Sequence, residues 1–187
     1  MSLANITSKH RGKLIIKAYK NSLKKNHKVI DIGCGNGVIT TQLKDFFKFK
    51  VIGCDIINYL LTDIPFRKMT KDSQIPFRNK SFDISMFNDV LHHMPKEVQI
   101  KMLKEALRVS KKVLIFEVQP TISGTIFDFI LNKIHNFNMY IPFTFRKTED
   151  WAKVFENLNC NYKVITVDRP TFYPFSHVAF VLTKTKD

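Results

Sequence analysis

The sequence of 187 residues has little cysteine and no long apolar run. No hydrophobic stretch reaches the ~20 residues that a membrane-spanning helix needs, and residues 1–5 lack the apolar segment of a signal peptide. The three cysteines, Cys34, Cys54 and Cys160, are odd in number and lack the spacing of metal ligands. We therefore expect a cytoplasmic protein with no disulfide framework, no bound metal and no membrane association.

Arginine is scarce, and acidic residues are absent from the start of the chain. Arginine supplies only 6 of the 30 cationic residues, although bidentate phosphate recognition favours it. No acid precedes Asp31, and the net charge is +14. Residues 9–25 read as a basic helix with Leu14, Ile15 and Ala18 on its inward face. The cations of this segment form either the solvated face of that helix or a surface for an acidic partner such as RNA.

Patterns typical of strands and of helices alternate along most of the chain. The predicted elements are strands at 28–32, 49–55, 81–88, 113–118, 162–167 and 177–183, and helices at about 37–47, at 95–109 and from 148 onward. We expect Leu43, Phe46 and Phe47 on the inward face of the helix at 37–47, and Thr148 as the N-cap of the last helix. Between Asp55 and Asp72, Pro65 and poor helical periodicity predict that the second crossover helix is shortened to a turn or loop. This order predicts one α/β domain over residues 1–187, with a mostly parallel sheet and an antiparallel terminal hairpin.

The most informative stretch is VIDIGCGNG, from Val29 to Gly37. An apolar strand ends, and glycines follow at alternate positions, where they let the backbone turn sharply and leave no side chain in front of a ligand. A helix follows, so the stretch predicts a strand–loop–helix junction that binds a nucleotide-like ligand; the alternative is a tight turn without a ligand. The dinucleotide fingerprint is excluded, because Val38 stands where its third glycine is required. The phosphate loop is excluded too, because no Gly-Lys-Ser/Thr follows.

An acid followed by G-x-G-x-G resembles the first motif of the class I S-adenosylmethionine-dependent methyltransferases, of the type-11-like kind. The resemblance covers about residues 10–185. It implies a Rossmann-like, three-layer α/β/α fold with a seven-stranded, mostly parallel sheet and an antiparallel C-terminal strand. It also implies S-adenosylmethionine as cofactor, held by Gly33, Gly35 and Gly37, with Asp31 and Gly33 at the amino acid moiety.

Two further parts of the sequence match that family. Asp55 ends the second strand, where a carboxylate can accept hydrogen bonds from both ribose hydroxyls of an adenosine. The segment 71–83, KDSQIPFRNKSFD, resembles the family's D-x-x-x-L-P-F and S-F-D-x-V block. The resemblance implies that Asp72 accepts from the adenine amine and that the Ser73 N–H meets a ring nitrogen.

Asn88 begins the segment NDVLHHM at the end of the central strand, where ligands of open α/β sheets gather. In the family this stretch lines the methionine half of the cofactor, and Asn88 is the candidate. The amino-methylating branch carries Asn/Asp-Pro-Pro-Tyr here, so the sequence argues against that route. One departure lies further along: the family often has Leu-Lys-Pro-Gly-Gly where residues 109–113 read VSKKV.

His92, His93 and Glu117 are the candidate catalytic residues. Adjacent helical residues point about 100° apart, so the two histidines do not suit one metal ion, and no cluster of cysteines or carboxylates completes a site. Either histidine could instead act as a base or contact the substrate. Glu117 ends a predicted strand beside the expected substrate pocket. The alternative for all three is a structural role.

The segment 119–146 is aromatic and apolar, which indicates either a lid over the acceptor or a helix of the core. We expect in-line methyl transfer to a small, partly apolar acceptor. Two alternatives remain: an RNA methyltransferase that uses the basic N-terminal helix, and a cofactor-binding partner or regulatory subunit without turnover. The sequence does not determine the oligomeric state or the methylated atom.

Overall fold

A seven-stranded sheet forms the centre of the protein. The computed structural model describes residues 3–69, 74–121, 144–169 and 173–185, with side chains from Ser8 onward. Its strands are β1 (Lys28–Ile32), β2 (Lys50–Asp55), β3 (Phe66–Lys68), β4 (Phe82–Asn88), β5 (Ser110–Val118), β6 (Cys160–Thr166) and β7 (His177–Lys184). The described helices are α1 (Leu3–Tyr19), α2 (Val38–Phe47), α3 (Lys96–Val109) and α4 (Thr148–Asn157), with one 3-10 turn at Leu91–His93.

The strand order is β3-β2-β1-β4-β5-β7-β6. Strands β1 to β5 pair in parallel, whereas β7 runs antiparallel to both β5 and β6. The predicted Rossmann-like sheet with an antiparallel C-terminal strand is therefore confirmed. Because β1, β2, β4 and β5 are parallel, their carboxyl ends meet at one edge of the sheet, which we call the carboxyl edge.

Helices cover both faces of the sheet and bury two apolar clusters. On one face α1 and α2 pack through Ile15, Tyr19 and Leu43. On the other, α3 and α4 pack through Leu103 and Phe155. Strand β1 is buried from its second residue onward, as its apolar sequence predicts for a strand covered on both faces. The expected three layers are present.

The connection from β2 to β3 contains no helix among its residues, 56–65. The predicted shortening of this crossover is confirmed. The loop stays close to the glycine stretch: the Leu61 N–H donates to the Asn36 carbonyl at 2.9 Å. The short edge strand β3 that follows was not predicted, because three residues carry no periodicity.

Three details of the predicted elements were wrong. Helix α1 ends at Tyr19 rather than at residue 25, and the N–H groups of Ser22 and Leu23 both donate to the Tyr19 carbonyl in the turn that closes it. Phe46 was expected to point inward but is 59% exposed. Phe46 lies off the face of α2 on which Leu43 is buried. Its ring packs edge-on against that of Phe47 at 4.9 Å between ring centroids. Helix α4 has Lys147, not Thr148, at its N-cap.

Among the described residues, no helix is long and apolar enough to cross a membrane. All three cysteines are free thiols, and all are buried. The interior of the predicted lid, residues 122–143, lies outside the described residues, as do Asp72 and Ser73.

Candidate active site

The glycine loop between β1 and α2 has a left-handed backbone at all three alternate glycines. The φ angles are 74° at Gly33, 52° at Gly35 and 76° at Gly37, which other residues adopt only with strain. A Cβ on Gly33 would lie 2.3 Å from a methyl carbon of Val90, and one on Gly37 would lie 2.3 Å from the Thr62 hydroxyl oxygen. At Gly35 no atom of the described residues lies within 4 Å of that position. Two of the glycines are thus required by packing, whereas the third borders open space.

Asp55 lies at the end of β2 beside that open position. Its Oδ2 accepts a hydrogen bond from the Gly35 N–H at 3.0 Å, and its Oδ1 accepts one from the Ile56 N–H at 2.7 Å. Burial raises the pKa of Asp55, and these backbone donors oppose that rise. The carboxylate and the loop backbone therefore form one polar surface.

A chain of buried hydrogen bonds links Asp31 to helix α1. Asp31 accepts from the Thr40 hydroxyl and, at 3.1 Å, from the Asn88 side-chain amide. The Asn88 carbonyl oxygen in turn accepts from the Tyr19 hydroxyl at 3.1 Å. Asp31 is 2% exposed, and burial raises its pKa to about 7. These contacts fix which way the Asn88 amide faces, and no sequence pattern had indicated that Tyr19 takes part. We refer to Asp31, Asp55, Asn88 and the three glycines as the glycine-loop site.

Glu117 and His92 form a buried pair at the end of β5. Glu117 Oε2 lies 2.7 Å from His92 Nδ1, and its Oε1 accepts from the backbone N–H groups of Val90 and Leu91 at 2.8 and 2.7 Å. The His92 ring stacks on Phe145 at 5.0 Å between centroids. One carboxylate thus ties the 3-10 turn to the neighbouring strand.

His93 follows on the same turn, with its ring centroid 4.0 Å from that of His92. It is partly exposed, and its Nδ1 is buried without a hydrogen-bond partner in the described part of the chain. Burial lowers the pKa of His93 to about 3. A neutral imidazole is therefore expected there at physiological pH, one that can accept a proton only weakly.

A second buried group, which we call the Asp89 cluster, comprises Arg11, Asp89, Tyr173 and His177. Asp89 Oδ2 lies 3.2 Å from Arg11 Nε and 3.2 Å from His177 Nε2. The Tyr173 and His177 rings stack at 5.7 Å between centroids. Sequence reasoning missed all four residues. The only local signal was the position of Asp89 next to Asn88, because its partners come from α1 and β7.

The end of the predicted lid is fixed to this edge of the sheet. The Thr144 N–H donates to the His92 carbonyl at 3.1 Å, and the Gln99 amide donates to the Thr144 carbonyl at 3.0 Å. Gln99 is fully buried and also donates to the Leu91 carbonyl at 3.0 Å. The described end of segment 119–146 is therefore anchored to the 3-10 turn.

The structure brings most of the predicted site residues together. Asp31, Asp55, Asn88, Glu117 and the glycine loop all lie at the carboxyl edge, with His92 and His93 on the turn after β4. In the described ranges, no group of three or more histidine, cysteine or carboxylate side chains could hold a metal ion. The chemistry available is thus that of a polar backbone loop beside buried carboxylates and imidazoles.

Comparison with known proteins identifies this arrangement. Residues 30–116 match the family described as "Methyltransferase domain", which spans β1 to β5 and includes the glycine loop, Asp55 and Asn88. The chain contains a methyltransferase domain.

Solved structures share the fold of this methyltransferase. The YcgJ protein from Bacillus subtilis is 16% identical, with a TM-score of 0.65, and the match covers 95% of this chain and 99% of that one. A SAM-dependent methyltransferase from Aquifex aeolicus is 17% identical, with a TM-score of 0.66, over 92% and 89% of the two chains. Magnesium protoporphyrin IX methyltransferase from Synechocystis PCC 6803, with bound S-adenosylhomocysteine, is 16% identical, with a TM-score of 0.66, over 96% and 84%. No curated protein sequence matches the methyltransferase.

The glycine-loop site of the methyltransferase suits an adenosyl cofactor. The space over Gly35 lets a ligand contact the loop backbone directly, and a Cβ at this position would project into that space. The Asp55 carboxylate is anchored at the rim of the same space and retains acceptor capacity for hydroxyl groups. The residues present therefore fit the donor that the family uses.

Proposed function

We propose that this methyltransferase transfers the methyl group of S-adenosylmethionine to a small, partly apolar acceptor by in-line displacement. The bound cofactor supplies a methyl group already activated on a sulfonium, so the protein chiefly has to position the acceptor and exclude water. The observation that carries the proposal is a set of aromatic rings at the carboxyl edge near Asn88, which stack on the buried histidines His92 and His177.

These aromatic rings come from several elements of the fold. Phe116 stacks on His177 at 4.5 Å between centroids, and Tyr173 packs edge-on against Phe175 at 5.4 Å. Phe145 covers His92 on the neighbouring side. Apolar walls with a few fixed polar groups are typical of sites for small ligands rather than for polymers. The aromatic segment 119–146, anchored at Thr144, is proposed as the lid of this site.

The cofactor contacts that we propose follow the glycine-loop site. Asp55 accepts from the ribose hydroxyls, and the backbone at Gly33, Gly35 and Gly37 approaches the methionine and ribose portions. Asp31 accepts hydrogen bonds from Thr40 and Asn88. We therefore propose that it acts on the amino acid moiety indirectly, by orienting the Asn88 amide. Asp72 and Ser73 remain the proposed adenine contacts.

The candidate catalytic residues take different proposed roles. Glu117 and His92 are held by each other and by the 3-10 turn, which supports a positioning role for both. His93 is proposed as an acceptor contact, since its buried Nδ1 can receive a hydrogen bond. Its lowered pKa argues against a role as the main proton acceptor.

RNA is the second candidate acceptor, and one observation favours it. The exposed lysines of the N-terminal segment are Lys9, Lys13, Lys17, Lys20, Lys24, Lys25 and Lys28. Against it, Lys17 pairs with Asp168, and Arg11 points inward to Asp89. RNA binding should weaken steeply with salt, because neutralising phosphates releases counterions. A screen with labelled cofactor, small metabolites and total RNA separates the two acceptors: transfer to RNA, lost at high salt, would overturn the small-molecule proposal.

Asp55→Ala tests the cofactor contacts. We expect roughly a tenfold or greater loss of S-adenosylhomocysteine affinity by calorimetry, the scale of one to two charge-assisted hydrogen bonds. Asp63→Ala is the matched control, because Asp63 is exposed on the loop that follows Asp55. Unchanged affinity in the Asp55 variant would remove Asp55 from the site. Cofactor binding with no methylation of any acceptor would support the partner or regulatory role instead.

We also propose a cytoplasmic location and a test for a partner protein. Three buried free thiols suit a reducing compartment, which supports the predicted cytoplasmic location. One related structure, from Haloferax volcanii, is a complex between the Trm112 methyltransferase activator and a methyltransferase, with 13% identity to this chain and a TM-score of 0.67. A partner protein is therefore worth testing by size measurements in solution.

A further inference from the structure

His177 lies at the carboxyl edge on a strand outside the matched family region. It is the first residue of β7, pairs with Val118 of β5 and is 3% exposed. Two aromatic rings stack with its imidazole, Phe116 at 4.5 Å and 26° and Tyr173 at 5.7 Å and 21°. Two nearly parallel rings hold the imidazole plane in one orientation.

The carboxylate of Asp89 selects the tautomer of this imidazole. Burial by itself would raise the pKa of Asp89, but the charges of a protonated His177 and of Arg11 outweigh it and bring the pKa to about 2. When His177 is neutral, the charge of Arg11 and the hydrogen bond from His177 still favour the ionised carboxylate. An ionised carboxylate can only accept hydrogen bonds, so His177 Nε2 must carry the proton that points at Asp89 Oδ2, 3.2 Å away. In the neutral ring, Nδ1 then holds a lone pair.

That Nδ1 atom is buried and has no hydrogen-bond partner among the described residues. Asp89 Oδ1 and His93 Nδ1 share both properties. Buried polar atoms are almost always satisfied, so several unsatisfied ones in neighbouring residues indicate a site for a polar ligand. The Asp89 carboxylate and a neutral His177 present acceptors, so the ligand they suit is a hydrogen-bond donor.

The backbone places these atoms next to the donor site. Asn88 and Asp89 are consecutive, and Asn88 faces Asp31 and Tyr19 whereas Asp89 faces Arg11 and His177. Asp89 holds a left-handed backbone with φ 53°, which is rare for a residue other than glycine. The strained residue thus turns its carboxylate away from the glycine-loop site while staying beside it.

We propose that His177 is the proton acceptor of methyl transfer, positioned by Asp89, and that the methyl acceptor is therefore an O–H or N–H nucleophile. The nucleophile's oxygen or nitrogen forms a bond to the methyl carbon and gives up its proton to His177 Nδ1. The electron pair of the broken sulfur–carbon bond stays on the departing thioether. This assignment rests on the proposed function, and it excludes acceptors whose reacting atom carries no proton.

The charged and titratable groups that reach His177 do so through Asp89 and Tyr173. Asp89 lies 3.2 Å from His177 and from Arg11 of helix α1, and Tyr173, which packs against His10, stacks on the His177 ring. Tyr19, His92 and His93 interact electrostatically with Asp89, and Glu117 interacts with Tyr19 and pairs with His92. Asp89 is the carboxylate in contact with His177, so Asp89→Asn is the variant expected to disturb the tautomer of His177 most.

The first test needs no acceptor. In protein labelled with ¹⁵N-histidine, the His177 signals are assigned by their loss in His177→Gln. We expect the neutral ring to be the Nε2–H tautomer with unprotonated Nδ1, and a changed tautomer in Asp89→Asn. A neutral His177 ring with its proton on Nδ1 would overturn the assignment, whatever the acceptor. S-adenosylhomocysteine affinity, measured on the same samples, reports the donor site separately.

The second test uses the acceptor that the labelled-cofactor screen identifies. His177→Ala should lower kcat by roughly 100-fold or more, with S-adenosylhomocysteine affinity unchanged and the acidic limb of the pH profile lost, because that limb reports protonation of the proton acceptor. Added imidazoles should restore the rate in proportion to their basicity, which a merely structural ring would not do. His27→Gln, at the opposite edge of the sheet, is the matched control. Full kcat in His177→Ala, or an acceptor without a transferable proton, would overturn the proposal while leaving the methyltransferase function intact.

Discussion

The glycine-loop site and the Asp89 cluster lie side by side at the carboxyl edge, and each contains a buried aspartate. Asp31 has neutral partners, Thr40 and Asn88, and burial raises its pKa to about 7. At Asp89, the charges of Arg11 and His177 outweigh burial and bring the pKa to about 2. Equal burial therefore gives opposite protonation behaviour, because the nearest partners decide whether the charge is compensated.

The two regions also differ in how they are assembled. In the glycine-loop site two contacts span short distances along the chain, 20 residues from Gly35 to Asp55 and 9 from Asp31 to Thr40, and the contact from Asp31 to Asn88 spans 57. In the Asp89 cluster His177 lies 88 residues from Asp89. The first region presents backbone to a ligand, whereas the second presents side chains. We expect the first to tolerate truncated side chains better than the second.

The largest effect is expected next to the Asp89 cluster, in Glu117→Ala. Removing this carboxylate leaves two backbone N–H groups and His92 without their acceptor in a buried site. We expect a loss of about 3–5 kcal/mol in the free energy of unfolding, measured with urea. Glu156→Ala, on the exposed face of α4, should change it by about 0.5 kcal/mol or less. A loss below about 1 kcal/mol in Glu117→Ala would show that the turn does not depend on this residue.

The glycine loop allows a sharper comparison within one region. Gly33→Ala combines left-handed strain with overlap on Val90 and should cost about 2–5 kcal/mol of unfolding free energy. Gly35→Ala meets no described atom, so it should cost only about 1–2 kcal/mol. Its methyl group would, however, occupy the proposed cofactor space and should lower S-adenosylhomocysteine affinity at least about tenfold. Equal affinity in Gly35→Ala and wild type would mean that the cofactor does not approach this position.

The two aspartates predict opposite pH effects on stability. Asp31 holds its proton more tightly in the folded protein, so it makes the unfolding free energy fall as pH rises from about 4 to about 7. Asp89 contributes stability above about pH 4, which is lost as pH falls toward 2. Each slope is at most about 1.4 kcal/mol per pH unit. In urea titrations, Asp31→Asn should flatten the upper range and Asp89→Asn the lower; the same change in both variants would contradict the comparison.

The smallest effect is expected for Tyr19→Phe, which removes only the hydroxyl that donates to Asn88. We expect a loss of about 0.5–1.5 kcal/mol in stability and a several-fold weaker S-adenosylhomocysteine affinity, because the Asn88 amide is then held from one side. Tyr162→Phe is the control, since its hydroxyl contacts Glu156 on the exposed surface. An affinity equal to wild type would show that Asp31 alone orients Asn88.

Much of the fold could be predicted because its signals are local. The apolar runs of β1, β2, β4 and β5 and the periodic apolar positions of α3 identify their elements within a few residues. Where a signal was short or depended on neighbours, prediction failed. Strand β3 has three residues, and Phe46 was expected to point inward although its position on α2 leaves it exposed.

The sequence by itself determined the chemistry of the glycine-loop site. The loop after the buried strand has a left-handed backbone at alternate positions, which favours glycine there. This pattern lies within a few consecutive residues and can be recognised from the sequence. Only the tertiary structure decided the composition of the Asp89 cluster beside this site. Arg11 from the first helix and His177 from the last strand meet Asp89 because the sheet order sets β5 between β4 and β7, and no spacing along the chain encodes that meeting. Backbone conformation is a local property, whereas the compensation of a buried charge depends on which distant elements fold against it.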